Sequence, residues 1–460
     1  MTTFLLRVCT ILACVSVGLT SVAKAESDYR ISTFKADVTI PLNHRCMGVL
    51  PTKSKKVLDP LEAIGFVLTG PEKPIVYVAV DWCEIRNGAY DQWREKLAKA
   101  AGTTRERVLV SSLHQHDAPV TDTDAAKLLR DVGLEDELFD EQFHEIAIAN
   151  VVAAIQLSAK HSQPVTHFGT GQAEVHQVAS NRRIVMPDGR VSFSRGSSSG
   201  ANEFMSQAPD GEIDPLLKTL SFWNEDQPLL ALHCYATHPM SYYGRGEVSS
   251  DFVGLARRKM QLGFPEVVQI YASGCSGDVT AGKYNNGSPE SRVELTNRIY
   301  EAMQESWQAT EKTPLTAVDF RSTELDLNYY DHAQLKRKHL EETLNNKSKR
   351  TEDRILAAMS LASLDRVESG QRIDFPCIDF GNAQIVLFPG ESFVGYQLMA
   401  QQMKPDSFVV SIGYGECWPG YVPTNKSFAD HFHDKWLWVG PGAENNIRQA
   451  LKRVLIKEEN

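Results

Sequence analysis

Val108-Leu109-Val110-Ser111-Ser112-Leu113-His114-Gln115-His116-Asp117 is an apolar, β-prone run that ends in two histidines one residue apart. On an extended chain, side chains two positions apart share a face. The spacing therefore predicts that His114 and His116 converge on one ion or one substrate. An isolated pair of this kind is more often two unrelated histidines, so the reading needs partners elsewhere in the chain.

Three later segments offer them. Leu229 to Tyr235 is apolar, contains His233 and leads through Thr237 to His238. His238 falls at a strand end, where α/β folds gather ligands, whereas His233 inside the strand is expected to be a hydrogen-bonded core residue. Tyr271 to Val279 is a strand opening into the small-residue turn Gly274-Cys275-Ser276-Gly277-Asp278. Such a turn brings backbone N–H groups close to a substrate oxygen, which makes Gly274 and Ser276 candidate substrate contacts. Asp278 is a candidate catalytic carboxylate that orients a histidine or supports the turn. Phe388-Pro389-Gly390-Glu391 repeats the theme with a carboxylate at a strand end. Histidine and glutamate are zinc donors, and a catalytic zinc site keeps one position open.

The elements that must position these residues alternate. Ile75 to Val80 reads as a buried strand, Tyr90 to Ala101 as a helix stopped by Gly102, and Arg107 to Ser111 as the next strand. A helix is expected over 136–159, with Leu138, Phe139, Phe143, Ile146 and Ala153 on its apolar face. Further strands are expected at 219–223, 229–235, 267–272, 384–388 and 408–412. Ser249-Ser250-Asp251 reads as a cap for a helix around 252–260. The fold class is therefore α/β, with layered β-sheets flanked by helices in one large catalytic domain. Residues 331–367 are charged and helix-prone, with Lys336, Arg337, Lys338, Glu341 and Glu342 close together. They are expected to form an external helical hairpin with a solvated face.

Residues 1–25 read as a signal peptide: Arg7, an apolar run from Cys9 to Val22, then Ala23-Lys24-Ala25 at the cleavage positions. Residues 26–460 are then an exported catalytic unit, periplasmic or secreted, with no stable membrane span. The formal net charge is -10, and removing Arg7 and Lys24 makes the balance more acidic still. An acidic chain does not suit a nucleic-acid partner, which needs cations to replace counterions. The six cysteines after the leader are dispersed, with no CxxC pair, and buried free thiols are favoured over disulfides. Nothing in the sequence sets an oligomeric state.

Taken in order, HxH, Asn181-Arg182-Arg183, Thr237-His238-Pro239, Ser276-Gly277-Asp278-Val279, Pro389-Gly390-Glu391 and Gly420-Tyr421-Val422-Pro423-Thr424 resemble the N-terminal catalytic domain of neutral/alkaline ceramidases. The resemblance runs from about Phe34 to the end of the chain. It implies a zinc-dependent amidohydrolase acting on a small-molecule or lipid-like N-acyl substrate, with His114, His238, Glu391 and Tyr421 as ligands to Zn2+. It further implies that His116 serves the reaction beside the metal and that Arg182 assists at the substrate carbonyl. Two positions depart from the family pattern. Gly274 stands where ceramidases carry a catalytically implicated serine, and the neighbourhood of His433 lacks a family tyrosine. The C-terminal immunoglobulin-like domain of full-length ceramidases has no counterpart here. Ceramide, another amide, an ester or a carbohydrate amide all stay open as substrates on the same site, as does a non-catalytic binding role.

Overall fold

Three apolar strand–helix–strand units set the plan of the molecule. The structure is a computed structural model that describes residues 28–456; the expected signal segment lies outside the described residues. In the first unit the strands Ile75–Val80 and Val108–Ser112 run parallel, joined through the helix Asn87–Ala101. In the second, Gln227–Tyr235 and Val268–Ser273 are parallel across the helix Asp251–Gly263. In the third, Ala383–Leu387 and Phe408–Ile412 flank the helix Val394–Met403. Both strands of each pair are almost wholly buried, which is why they read as unbroken apolar runs rather than as alternating ones.

Antiparallel strands extend each pair into a mixed sheet. Glu62–Thr69, Arg30–Asp37 and Gln163–Pro164 complete the first, and Leu216–Asn224, His167–Glu174 and Glu311–Pro314 the second. Ile373–Asp379 and Asp319–Leu325 complete the third. Leu109, Leu232, Ile385 and Ile412, from all three sheets, share one apolar cluster. The expected α/β class and its layered sheets are what the chain forms.

Local signals set several boundaries. Gly102 adopts φ 68° and donates its N–H to the carbonyls of Ala98 and Lys99, ending the first crossover helix. The expected helix over 136–159 begins later, as Glu141–Ser158. The Asp140 carboxylate accepts from the Phe143 N–H and sets the phase, so Leu138 and Phe139 are buried ahead of the helix rather than on it. Its inner face is Ala147, Ile148, Val151 and Ile155, while Ile146 and Ala153 face outward. Asp251–Gly263 begins at Asp251, but its three-residue cap differs from expectation. The Ser250 hydroxyl donates to Asp59 instead of capping, and Ser249 Oγ accepts from the Asp251 N–H.

The hairpin of residues 331–367 forms as Arg337–Asn345 and Thr351–Glu368, yet only the first helix fits the external reading. The second buries Ile355, Ala358, Met359 and Leu361 and packs on the helix Thr123–Asp131. Its small side chains admit large neighbours: Ser360 accepts from the Trp438 indole and Ser363 from Arg86.

All six described cysteines are buried free thiols. Among the described residues no helix is long and apolar enough to cross a membrane. His233 is a core residue, bonded to Thr219 and Gln269 at 2.8 Å each.

Burial lowers the pKa of His233, His44 and His144 from 6.5 to about 4. The unfolded chain therefore binds more protons than the folded one between those values. This contribution to stability is complete above pH 6.5 and is lost as pH falls toward 4. The expected loss between pH 7 and pH 5 is about 2 kcal/mol per histidine. Urea midpoints measured across this range should fall with pH, and the fall should be smaller in His233→Gln.

Candidate metal centre

The carboxyl ends of the six parallel strands are sewn to one another. Ser112 N donates to Tyr414 O at 2.9 Å, Gly413 N to Ser273 O at 2.9 Å, and Gly274 N to Tyr235 O at 2.9 Å. The Ser273 hydroxyl adds a 2.8 Å bond to Leu113 O. Whatever follows these strands is thereby delivered to one place: Cys83, then His114 and His116, His238, Gly274 to Asp278, Glu391 and Tyr414.

His114 and His116 do meet, but not by strand alternation. The strand ends at Ser112, and His114 has φ 69°, a left-handed conformation unusual for a residue with a Cβ. Its N–H donates to Trp82 O at 2.9 Å, which holds the turn. The two rings lie 5.1 Å apart at 82°.

Hydrogen bonds determine which ring nitrogens face the centre. His238 Nδ1 lies 2.6 Å from Ser276 O and 3.1 Å from Val279 O, and donates to these carbonyls. His114 Nδ1 donates in the same way to Cys83 O at 3.1 Å. The neutral form of each ring then has its lone pair on Nε2. Both lone pairs point at one carboxylate oxygen, Glu391 Oε2, at 3.0 Å from His238 and 3.3 Å from His114. Three acceptors turned on one point could hold a cation among them. Donors about 2.1 Å from a tetrahedral ion stand about 3.4 Å apart, close to the spacing here. A backbone carbonyl behind each imidazole is also the usual support of a metal-bound histidine. Burial, with Arg182 adding to it, lowers the His238 pKa to about 4, so a proton on that ring is a poor substitute for a metal. Burial also opposes charge on His114, but Glu391 beside it prevails and raises its pKa. These donors fit an ion of the zinc type.

Tyr421 reaches the same point from a separate strand. Tyr421–Val422 runs parallel to Glu391–Ser392 with Tyr421 opposite Glu391, and its ring stacks with His238 at 6.4 Å. The Arg182 guanidinium lies 5.6 Å from the Tyr421 ring centroid, and its Nε has no hydrogen-bond partner among the described residues. His116 is 5% exposed, yet neither ring nitrogen has a hydrogen-bond partner among the described residues. Burial first, and the neighbouring His114 and His238 second, hold its pKa well below the usual value. The ring is neutral and both nitrogens are free.

Asp278 stands one step back. Its carboxylate accepts from Val394 N and from the Asn181 amide, both at 2.9 Å, and its carbonyl accepts from Arg182 N at 2.7 Å. These bonds tie the Asn181-Arg182 turn to the third crossover helix. Ser276 supplies the carbonyl behind His238, and its hydroxyl pairs with Tyr414 at 2.8 Å. Gly277 allows the turn to press on Glu391: a Cβ there would meet Glu391 O at 2.1 Å. Gly274 is also tightly held. A Cβ on it would lie 2.6 Å from Gln397 Oε1 and 3.1 Å from Ala236 Cα. His433 is exposed and pairs with His332, whereas its neighbour Phe432 packs on Tyr421 at 5.5 Å.

Three residues here have no site role in the sequence analysis. Tyr414 stacks on His114 at 4.5 Å and 18°. Tyr243 lies edge-on to His116 at 4.6 Å, and Cys83 Sγ is 3.8 Å from His114 Nδ1. Gly413-Tyr414-Gly415, an aromatic between glycines just past an apolar strand, was the one available signal.

No family model matches this chain, and no curated protein sequence matches it. Solved structures similar to it include the neutral ceramidase from Pseudomonas aeruginosa, at 17% identity and a TM-score of 0.69 over 95% of this chain and 76% of that one. They also include a ceramidase complexed with C2, at 17% identity and a TM-score of 0.67 over 95% of this chain and 77% of that one. With its sheets, crossovers and strand-end cluster already described, the chain has a neutral ceramidase-like fold.

Proposed function

We propose that this chain is an exported zinc-dependent hydrolase that cleaves the amide bond of an N-acyl lipid. The observation that carries the reading is the pair of imidazole lone pairs and the carboxylate oxygen of His238, His114 and Glu391 turned on one point. The fold shared with ceramidases supports an acyl-amide substrate, and the composition of residues 1–25 supports export. His114, His238, Glu391 and Tyr421 would hold the zinc. A zinc ion bound there supplies an activated water at neutral pH and a positive charge close to the carbonyl oxygen.

The remaining steps belong to the protein. Arg182, with its free Nε beside Tyr421, stabilises the negative charge that grows on the carbonyl oxygen. His116 offers a ring nitrogen with no partner among the described residues, which takes a proton and passes it to the amine nitrogen as the C–N bond breaks. Asp278 positions Arg182 through the Asn181 turn. Tyr414, stacked on His114 and bonded to Ser276, holds the two imidazoles in register. A side chain at Gly274 would press on Gln397 and Ala236, so the position that carries serine in the family is tightly packed here.

His238→Ala should lose bound zinc and activity together. Elemental analysis showing undiminished zinc would overturn the ligand assignment. His116→Ala should keep its zinc and lose about 10²- to 10⁴-fold in kcat, while Arg182→Ala should lose about 10²- to 10³-fold. Steady-state kinetics on a panel of N-acyl lipids, N-acetyl sugars and acyl esters checks both variants and ranks the substrates. Gly274→Ser should lower stability by about 1–3 kcal/mol, measured by chemical denaturation, because Gln397 is tied to Cys275 N and Asp214.

A further inference from the structure

We infer that Cys83, His114 and His116 form a second, overlapping site for a soft, thiophilic cation, which competes with the first centre for His114. One donor atom from each of the three residues lies within 4.8 Å of the others, and all three side chains are buried. Cys83 Sγ stands 3.8 Å from His114 Nδ1. A tetrahedral ion bound to one sulfur and one imidazole nitrogen separates those donors by about 3.6 Å. His116 provides the independent sign of a ligand, since its two buried nitrogens have no hydrogen-bond partner among the described residues and its ring lies edge-on to His114.

The competition follows from tautomer chemistry. A neutral imidazole has one lone pair. With the His114 proton on Nδ1, that nitrogen donates to Cys83 O and the Nε2 lone pair faces Glu391. With the proton on Nε2, that nitrogen donates to the Glu391 carboxylate and the Nδ1 lone pair faces the Cys83 sulfur. One ring serves one site at a time. The donor sets also differ in kind. His114, His238 and Glu391 offer nitrogen and hard oxygen, whereas Cys83, His114 and His116 offer sulfur and two nitrogens and so favour a softer ion. Binding replaces the S–H bond of Cys83 by a sulfur–metal bond and releases one proton to solvent. It also occupies the lone pair of His116. Loss of hydrolysis on soft-metal binding rests on the proton-carrying role proposed for that residue, but the site itself does not.

Cadmium is the probe. Metal-free full-length protein titrated with Cd2+ should develop a thiolate-to-cadmium charge-transfer absorption that saturates at one equivalent. The band should vanish in Cys83→Ser and in Cys83→Ala, with zinc uptake by either variant reporting an intact fold. His116→Ala should weaken cadmium binding by about tenfold or more. His238→Ala, which touches only the first centre, should keep the band. Added to the zinc-loaded protein, each bound Cd2+ should release one Zn2+. A band that persists without Cys83 would place the ion on another thiol and overturn the proposal. Full zinc retention as the band forms would overturn the sharing of His114. Zinc retained by His238→Ala would instead count against the proposed hydrolase centre and leave this site standing.

Discussion

A carboxylate oxygen faced by two imidazole lone pairs is the constraint on which the rest of the molecule depends. Glu391 Oε2 lies 3.0 Å from one ring and 3.3 Å from the other, in a site almost free of solvent. Burying a charge in this way costs several kcal/mol unless an opposite charge is present, and Arg182 is electrostatically coupled to this carboxylate. Both rings are prevented from turning to better partners because each is held from behind by a backbone carbonyl. The arrangement holds three donors at a spacing that suits a cation.

Holding it together takes backbone that most sequences avoid. His114 occupies the left-handed region at φ 69°, and Tyr414, stacked on it, does so at φ 57°. Each such residue costs on the order of 1–3 kcal/mol. The cost is offset by the hydrogen bonds that join the three parallel strand pairs and by the apolar cluster common to their sheets. The three sheets are therefore not independent layers. A shift of any one pair against the others would move a donor out of range.

Fold and site were legible in the sequence to different depths, for physical reasons. Ile75–Val80, Phe408–Ile412 and the Gly102 stop could be read because buried parallel strands are continuous apolar runs and a left-handed helix end favours glycine. The phase of Glu141–Ser158 escapes an apolar count because the Asp140 cap sets it. The helix Thr351–Glu368 reads as external because charge dominates its neighbourhood, while its inward face meets Trp438, which bonds Ser360 from 78 residues away. His114, His238 and Glu391 could be picked out individually as strand-end residues. Their convergence could not, since it depends on which strand ends are sewn together. Tyr421 was named only through the family resemblance, because an aromatic in a loop carries no chemical signal of its own. Tyr414 and Cys83 are ordinary core residue types whose meaning lies entirely in their contacts with His114.

The same dependence explains why His116, rather than His114, is the freer of the two opening histidines. His114 is bonded on one nitrogen, faces Glu391 on the other and is stacked by Tyr414, so its ring has one orientation. His116 has edge contacts to His114, His238 and Tyr243, and among the described residues no hydrogen bond at either nitrogen. A buried imidazole without partners is normally costly, and a fold with this many side-chain bonds had ways to satisfy it. Leaving it unsatisfied keeps a neutral base beside a cation-seeking cluster, free to bind whatever enters: a water, a leaving amine or a metal ion. The HxH spacing brings both rings to the centre, but the surrounding bonds make one a fixed donor and the other an available one.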